Sequence, residues 1–153
     1  MTEARSIRDS SSSRNSYRKF YAISTRWMDN DLYGHVNNVT YYAYFDSAVN
    51  RYLIEEGGLD IHQSPVVGYV VSSSCQYRKP IAYPDNIEVG MRVDRLGTKS
   101  VTYGVAIFKE GEEDAVAEGQ FIHVFVNREN DQSVSVPAPL RDALIQLEVT
   151  DHA

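Results

Sequence analysis

The stretch Arg26-Trp27-Met28-Asp29-Asn30-Asp31-Leu32-Tyr33-Gly34-His35-Val36-Asn37-Asn38 runs directly into an aromatic-rich segment from Val39 to Leu53, and its reading decides the fold. Its polar groups are too concentrated to be packing. Asp31 and Gly34 stand at the first and fourth positions of a type I turn, where an Asp side chain bonds onward and a Gly closes the turn. Just past the turn, Asn37 or Asn38 is placed to cap a helix.

That helix carries Val39, Tyr41, Tyr42, Ala43, Tyr44, Phe45, Ala48, Val49, Tyr52 and Leu53, which leave almost no polar face over its first turns. A helix apolar nearly all round is a buried one. In a chain this short, the simplest way to bury one helix on most of its surface is to wrap a curved sheet around it. The N–H groups at its start, at Asn38 and Val39, then open into the interior and point the positive end of the helix dipole there.

Upstream, Tyr21, Ile23, Thr25 and Trp27 alternate with Ala22, Ser24 and Arg26, the pattern of a first strand between Tyr17 and Trp27. Before it, residues 1–16 hold the serine run Ser10 to Ser13 and scattered arginines. Such a segment buries too little to offset its ordering entropy, and a disordered tail is expected.

Downstream, the pair Gly57-Gly58 ends the helix, and Gly57 to Pro65 is a connecting loop. Val66 to Lys79 reads as one long extended run, stopped by Pro80 and the turn around Pro84-Asp85-Asn86. A clean strand follows, with Ile87, Val89, Met91 and Val93 on one face and Glu88, Arg92 and Asp94 on the other. Gly97-Thr98 turns it into a second, marked by Val101, Tyr103, Val105 and Ile107.

Lys109 to Asp114 forms a charged hairpin loop, and Val116 to Val126 completes the meander. Small residues at Ala117 and Gly119 let another element lie close against that last strand, and its lack of blocking prolines and lysines marks it as a pairing edge. Pro137 and Pro139 introduce a final amphipathic helix with Leu140, Ala143, Leu144 and Leu147, expected to pack on the outside or fray. Strand, buried helix, then four strands is an α+β arrangement. One domain over residues 17–148 is expected, with 149–153 a short C-terminal tail.

At 153 residues the chain is long enough for a single core. Its one cysteine, Cys75, excludes an internal disulfide and reads as a buried free thiol. A net charge of -6 argues against a nucleic-acid footprint, which needs a basic stripe. No apolar run approaches the ~20 residues that span a bilayer, and no secretory pattern opens the chain. The expectation is a cytoplasmic protein with no membrane insertion.

The pattern Asp-x-Asp-x-x-Gly-His-Val-Asn-Asn from Asp29 to Asn38, followed by Tyr-x-x-Tyr-Phe-Asp from Tyr41 to Asp46, resembles the hotdog-fold acyl-CoA thioesterases of the 4-hydroxybenzoyl-CoA thioesterase type. The likeness is strongest over Arg26 to Leu53, and the strand order stays compatible to about Asn127. It implies a hotdog fold, an antiparallel sheet of about five strands wrapped around a long central helix. It also implies Asp31 as the catalytic carboxylate, the backbone N–H at the helix start as the site that holds the thioester carbonyl, and a homodimer or dimer of dimers with sites at the seam. No separate cofactor is implied, since coenzyme A is part of the substrate. The His-Val-Asn-Asn form is more similar to members that act on aliphatic acyl chains than to aromatic-acyl members.

A thioester asks little of its catalyst, because a thiol of pKa ~8.5 leaves as thiolate without a dedicated acid. One group to attack or to activate water, and donors for the developing oxyanion, are enough. Asp31 serves as nucleophile, giving a mixed anhydride, or as general base. The N–H groups of Asn38 and Val39 serve as the oxyanion site, where losing one donor costs about 2.7–4 kcal/mol of transition-state stabilisation. His35 either moves a proton near neutral pH or holds the turn through an imidazole hydrogen bond to backbone, the second being favoured. Asn37 either orients Asp31 or a water, or caps the helix, again with the second favoured. Gly34 allows backbone and ligand to approach closely.

Around these, Tyr41 is a candidate substrate contact, with Tyr33, Tyr44 and Tyr69 as further aromatics for an acyl slot. Coenzyme A phosphates call for cations, and the candidates are Arg78, Lys79, Arg92, Arg95, Lys99 and Arg128. Asp29 shares a face with Asp31, but with no further ligand nearby a metal site is not expected; an ion pair with Arg26 is the plainer role. Asp46 is a rival base, set roughly 12 Å along the helix from Asn38. A hotdog module that holds an acyl thioester without cleaving it, or a hydroxyacyl-thioester dehydratase, would share the fold. The chain lacks the His-Phe-Pro type of signature that marks the latter.

Overall fold

The computed structural model describes residues 12–149. Five strands and two helices follow in the order β1 (Lys19–Ser24), α1 (Thr40–Glu55), β2 (Val66–Tyr77), β3 (Asn86–Leu96), β4 (Ser100–Lys109), β5 (Ala117–Asn127) and α2 (Ala138–Ile145). The strands form one antiparallel sheet in the order β1-β3-β4-β5-β2. One face of that sheet lies on α1, which is the hotdog arrangement.

The sequence pattern explains the face that packs. Ile87, Val89, Met91 and Val93 of β3 and Val101, Tyr103, Val105 and Ile107 of β4 are all buried in the core shared with α1. In β3 they alternate with Glu88, Arg92 and Asp94 at the period of two that a half-covered strand shows, whereas β4 is also covered on its other face, where Ala106 and Phe108 join a second buried cluster. On α1, Tyr41, Tyr44, Phe45, Ala48, Val49, Tyr52 and Leu53 are buried, at spacings of three and four. Ala43, Asp46, Ser47, Arg51 and Ile54 remain exposed. Within one protomer the helix is therefore covered along a stripe rather than nearly all round. The small residues Ala43 and Ser47 let its first turns read as apolar on every side while leaving a face open.

The helix ends where the glycines stand. Gly58 takes φ +72°, and the N–H groups of Gly57 and Leu59 both return to the Leu53 carbonyl. A Cβ at Gly57 would collide with Leu140 of α2, so that glycine also serves packing. The last helix is docked, not frayed. Its Leu140, Ala143 and Leu144 are buried, the Tyr52 hydroxyl donates to the Ala143 carbonyl at 2.6 Å, and Leu147 and Val149 add a short parallel bridge to β3 at Val93.

Two boundary expectations change. The strand from Val116 is not an edge: β5 lies between β4 and β2, and the sheet's two edges are β1 and β2. The smallness of Gly119 is explained by that neighbour, because a Cβ there would run into the Ser74 carbonyl of β2. The second change concerns Ser12 to Ser16, assigned by sequence to a disordered tail. Arg14 lies over the Phe108 ring at 4.9 Å and pairs with Glu88 at 2.7 Å, and Tyr17 joins Phe108 in a small cluster on the sheet's outer face. Residues 1–11 and 150–153 lie outside the described residues.

Candidate active site

The turn between β1 and α1 is built as the sequence suggests. The Gly34 N–H donates to the Asp31 carbonyl at 3.1 Å, closing the four-residue turn, and Gly34 takes φ +82°. Asp31 Oδ1 accepts the Tyr33 N–H at 2.8 Å, the onward bond that suits Asp at a turn's first position. The Asp31 N–H in turn reaches the His35 carbonyl at 2.8 Å. Oδ2 makes no bond to a described residue.

Beneath the turn, the loop is tied down by three hydrogen bonds, one of them to the core. Val36 is buried and its N–H donates to the Ile81 carbonyl at 2.7 Å; the Asn37 N–H donates to the Asp29 carbonyl at 2.9 Å; Asn30 Oδ1 accepts the Tyr83 N–H at 3.0 Å. Asp29 is 2% exposed and fully bonded. Its carboxylate accepts the Arg26 N–H and the Arg26 guanidinium on one side and the Tyr44 hydroxyl, at 2.7 Å, on the other. Burial alone would raise its pKa, but these donors outweigh burial and hold it below the ordinary carboxylate range. Asp29 is thus a structural anion, the Arg26 partner foreseen for it, and Tyr44 is turned to it rather than to a substrate slot.

The helix start is arranged residue by residue. Asn37 Oδ1 accepts the Val39 N–H at 3.0 Å, the capping role. The Thr40 N–H donates to the Asn37 carbonyl at 2.9 Å, and the Tyr41 and Tyr42 N–H groups reach the Asn38 and Val39 carbonyls at 3.4 and 3.2 Å. Val39, expected to offer a free donor, is therefore satisfied by Asn37. Among the described residues of this turn, the Asn38 N–H is the one left without a protein acceptor.

Asp31, His35 and Asn38 share a cavity of about 400 Å³ with Tyr33, Tyr41 and Tyr77. Val36, Arg78, Lys79 and Pro80 complete its lining. The Tyr41 and Tyr77 rings meet edge to face at 4.9 Å and form the inner wall. Burial pushes the Tyr41 hydroxyl up to about 12, so it stays neutral at physiological pH. His35 is exposed, and its imidazole makes no hydrogen bond to a described residue; the turn is held by backbone and by Asp31 instead of by this ring. Cys75 lies behind the wall. Cys75 is half-buried rather than buried, and desolvation pushes its thiol up to about 11, which leaves it protonated near neutral pH.

The cations divide. The Arg78 guanidinium is 5% exposed and bonded to Glu118 and Gln76, which leaves Lys79 as the exposed cation at the cavity wall. Arg92 pairs with Asp94 on the outer face of the sheet. Arg95 and Lys99 flank the β3–β4 turn, which lies the length of β3, roughly 30 Å, from the end that carries the site. Arg128 is tied to the Ser64 and Ile61 carbonyls. None of these last four lines the cavity, and neither does Tyr69, whose hydroxyl donates to Asp131. Asp46 accepts from Asn50 on the exposed face of α1. Among the described residues, no three His, Cys, Asp or Glu side chains converge as metal ligands, and no helix is long and apolar enough to cross a membrane.

Tyr77 and Pro80 are the lining residues that the sequence did not single out. Tyr77 stands on the inward parity of β2 with Cys75, and that parity was the available signal.

A single long helix on an antiparallel sheet, with the turn that carries Asp31 delivered to the helix start, is the arrangement of the hotdog-fold thioesterases. The chain belongs to the thioesterase-like superfamily, whose family model matches residues 25–144. It is 56% identical to the PA5185 protein of Pseudomonas aeruginosa strain PAO1, whose crystal structure superposes with a TM-score of 0.91 over 93% of this chain and 99% of that one. It is 26% identical to a protein of Aquifex aeolicus (strain VF5) provisionally named an esterase, over 81% of this chain and 95% of that protein. A gentisyl-coenzyme A thioesterase shares the fold, with a TM-score of 0.73 at 23% identity, covering 82% of this chain and 99% of its own.

Proposed function

We propose that this chain is an acyl-CoA thioesterase that hydrolyses its substrate to free acid and coenzyme A. The supporting observation is that Asp31 and Asn38 line one cavity at the start of α1. The thioester carbonyl binds with its oxygen on the Asn38 N–H, in the positive field of the helix start. Asp31, with Oδ2 uncommitted, then attacks the carbonyl carbon or draws a proton from the attacking water. The negative charge that forms on oxygen is met by the one donor whose neighbours are all satisfied. Coenzyme A departs as thiolate, and Lys79 is the wall cation placed to meet its phosphates.

The acyl group lies against Tyr41 and Tyr77. Two fold neighbours named for their substrates act on hydroxylated aromatic acyl groups, gentisyl-CoA and 1,4-dihydroxy-2-naphthoyl-CoA. Assembly through β2 is part of the same proposal: this free edge exposes Val70 and Val71, and the exposed side of α1 is left for a second copy to cover.

Thiol release from a panel of acetyl-, hexanoyl-, benzoyl- and gentisyl-CoA, followed with a thiol-reactive chromophore, tests the reading. Hydrolysis of at least one member supports it and fixes the acyl class. Binding of these thioesters without release would make the chain a holding module instead.

A further inference from the structure

We infer that Tyr77 is a positioning residue for the oxyanion donor; the inference rests on the thioesterase reading and adds a residue to it. The Tyr77 hydroxyl donates to the Asn38 carbonyl at 2.9 Å, across from β2 to the first turn of α1. That carbonyl belongs to the same peptide unit as the Val39 N–H, which Asn37 Oδ1 accepts at 3.0 Å. The 38–39 peptide is therefore gripped at both ends, by a strand residue and by a turn residue. The preceding peptide is held by its own carbonyl, which accepts the Thr40 N–H at 2.9 Å. Its N–H is that of Asn38, so with both flanking planes fixed this donor has no freedom to swing.

The anchor is needed because of where the turn sits. Asn37, Asn38 and Val39 are all exposed, with Val39 74% exposed, and the Asn37 side chain caps this start from a residue that is itself exposed. An exposed helix start frays unless something outside the helix holds it. Preorganisation is what gives an oxyanion donor its value, since a donor that must be reoriented during reaction loses much of its advantage. Tyr77 is itself fixed: its ring stacks edge to face on buried Tyr41, and burial and the nearby Cys75 and Tyr42 raise its pKa, so it remains a hydrogen-bond donor at any working pH. The hydroxyl is committed to the Asn38 carbonyl, and it acts through Asn38.

The test compares full-length wild type with Tyr77→Phe, which keeps the ring and the wall, and Tyr77→Leu, which removes both. Thiol release is measured on the best member of the acyl-CoA panel, and the Asn38 and Val39 amide signals are followed by nitrogen-15 NMR. For Tyr77→Phe, kcat falls about 10- to 100-fold with KM within about 2-fold, the split that loss of a transition-state interaction produces. The Asn38 and Val39 amides shift or broaden while amides of β4 do not. Tyr77→Leu raises KM in addition. An unchanged kcat in Tyr77→Phe, a rise in KM alone, or unmoved Asn38 and Val39 amides each overturn the inference. Failure of wild type to release thiol from any thioester overturns the thioesterase reading instead, and the amide signals then decide by themselves whether Tyr77 holds Asn38.

Discussion

The Tyr44 hydroxyl, inside α1, donates a 2.7 Å hydrogen bond to Asp29 in the turn that carries Asp31. It couples the central helix to the loop that carries Asp31 through a buried anion. Asp29 and Asp31 are two residues apart and of one chemical type, yet the first is closed by donors while the second lines the cavity and accepts a single bond, from the Tyr33 N–H, among the described residues. Tyr44→Phe leaves the Asp29 carboxylate short of a partner in a buried site, which costs about 1–3 kcal/mol of stability. Urea unfolding should show a lowered midpoint with an unchanged slope, and the thiol-release rate should fall because the loop loses its tether to α1.

Asp29 also sets an acid limit. Its folded-state pKa lies below the unfolded value, so its contribution is fully present above the ordinary Asp range and is lost as pH falls through the folded pKa. Asp29→Asn therefore lowers stability at neutral pH and flattens the stability profile below about pH 4. Urea midpoints collected from pH 2.5 to 7 check both parts.

His123 titrates in a different window. It is buried among Tyr103, Phe121 and Phe125 on the core face of β5, and burial lowers its pKa from 6.5 to about 4. The unfolded chain binds this proton first, so stability is complete above about pH 6.5 and declines as pH falls toward 4. At about 1.4 kcal/mol per pH unit the full loss approaches 3 kcal/mol. Wild type should show this slope and His123→Gln should not; the Gln variant still offers an acceptor to the Tyr103 hydroxyl, whose 3.2 Å contact with Nδ1 would otherwise be lost.

How far the sequence could be read follows from the range of the interactions involved. The Asp31–Gly34 turn, the Asn37 cap and the Gly57-Gly58 stop are local hydrogen-bonding and φ requirements, carried by residues within a few positions of one another, and each is found as its residue types suggest. Strand alternation likewise showed which face of β3 meets α1, while in β4 the opposite face, with Ala106 and Phe108, is buried as well. Sheet order is a long-range property, which is why β5 could be mistaken for an edge when β2, about 50 residues earlier in sequence, covers it. The same reason hides Tyr77: its hydroxyl meets Asn38 across 39 positions. The cations misled because charge says nothing of distance along a strand, and β3 alone carries Arg92 and Arg95 away from the site.

The free edge of β2 gives a prediction about assembly. Val71 sits at a register shift between Val70 and Ser72 and is 58% exposed. If copies join along this edge, Val71→Lys places like charges against one another and weakens association at least about 10-fold. Sedimentation velocity over a concentration series should show wild type larger than one chain and the variant shifted toward monomer.

The most direct measurement is thiol release by Asp31→Asn beside wild type, with binding of the same acyl-CoA followed by calorimetry. The substitution keeps shape and the bond from the Tyr33 N–H but removes the charge that the proposed mechanism needs to attack or to accept a proton. A fall in kcat of about 10²- to 10⁴-fold with binding retained is the expected result. Release at the wild-type rate from a folded Asp31→Asn protein would contradict the assignment of the chemistry to this carboxylate.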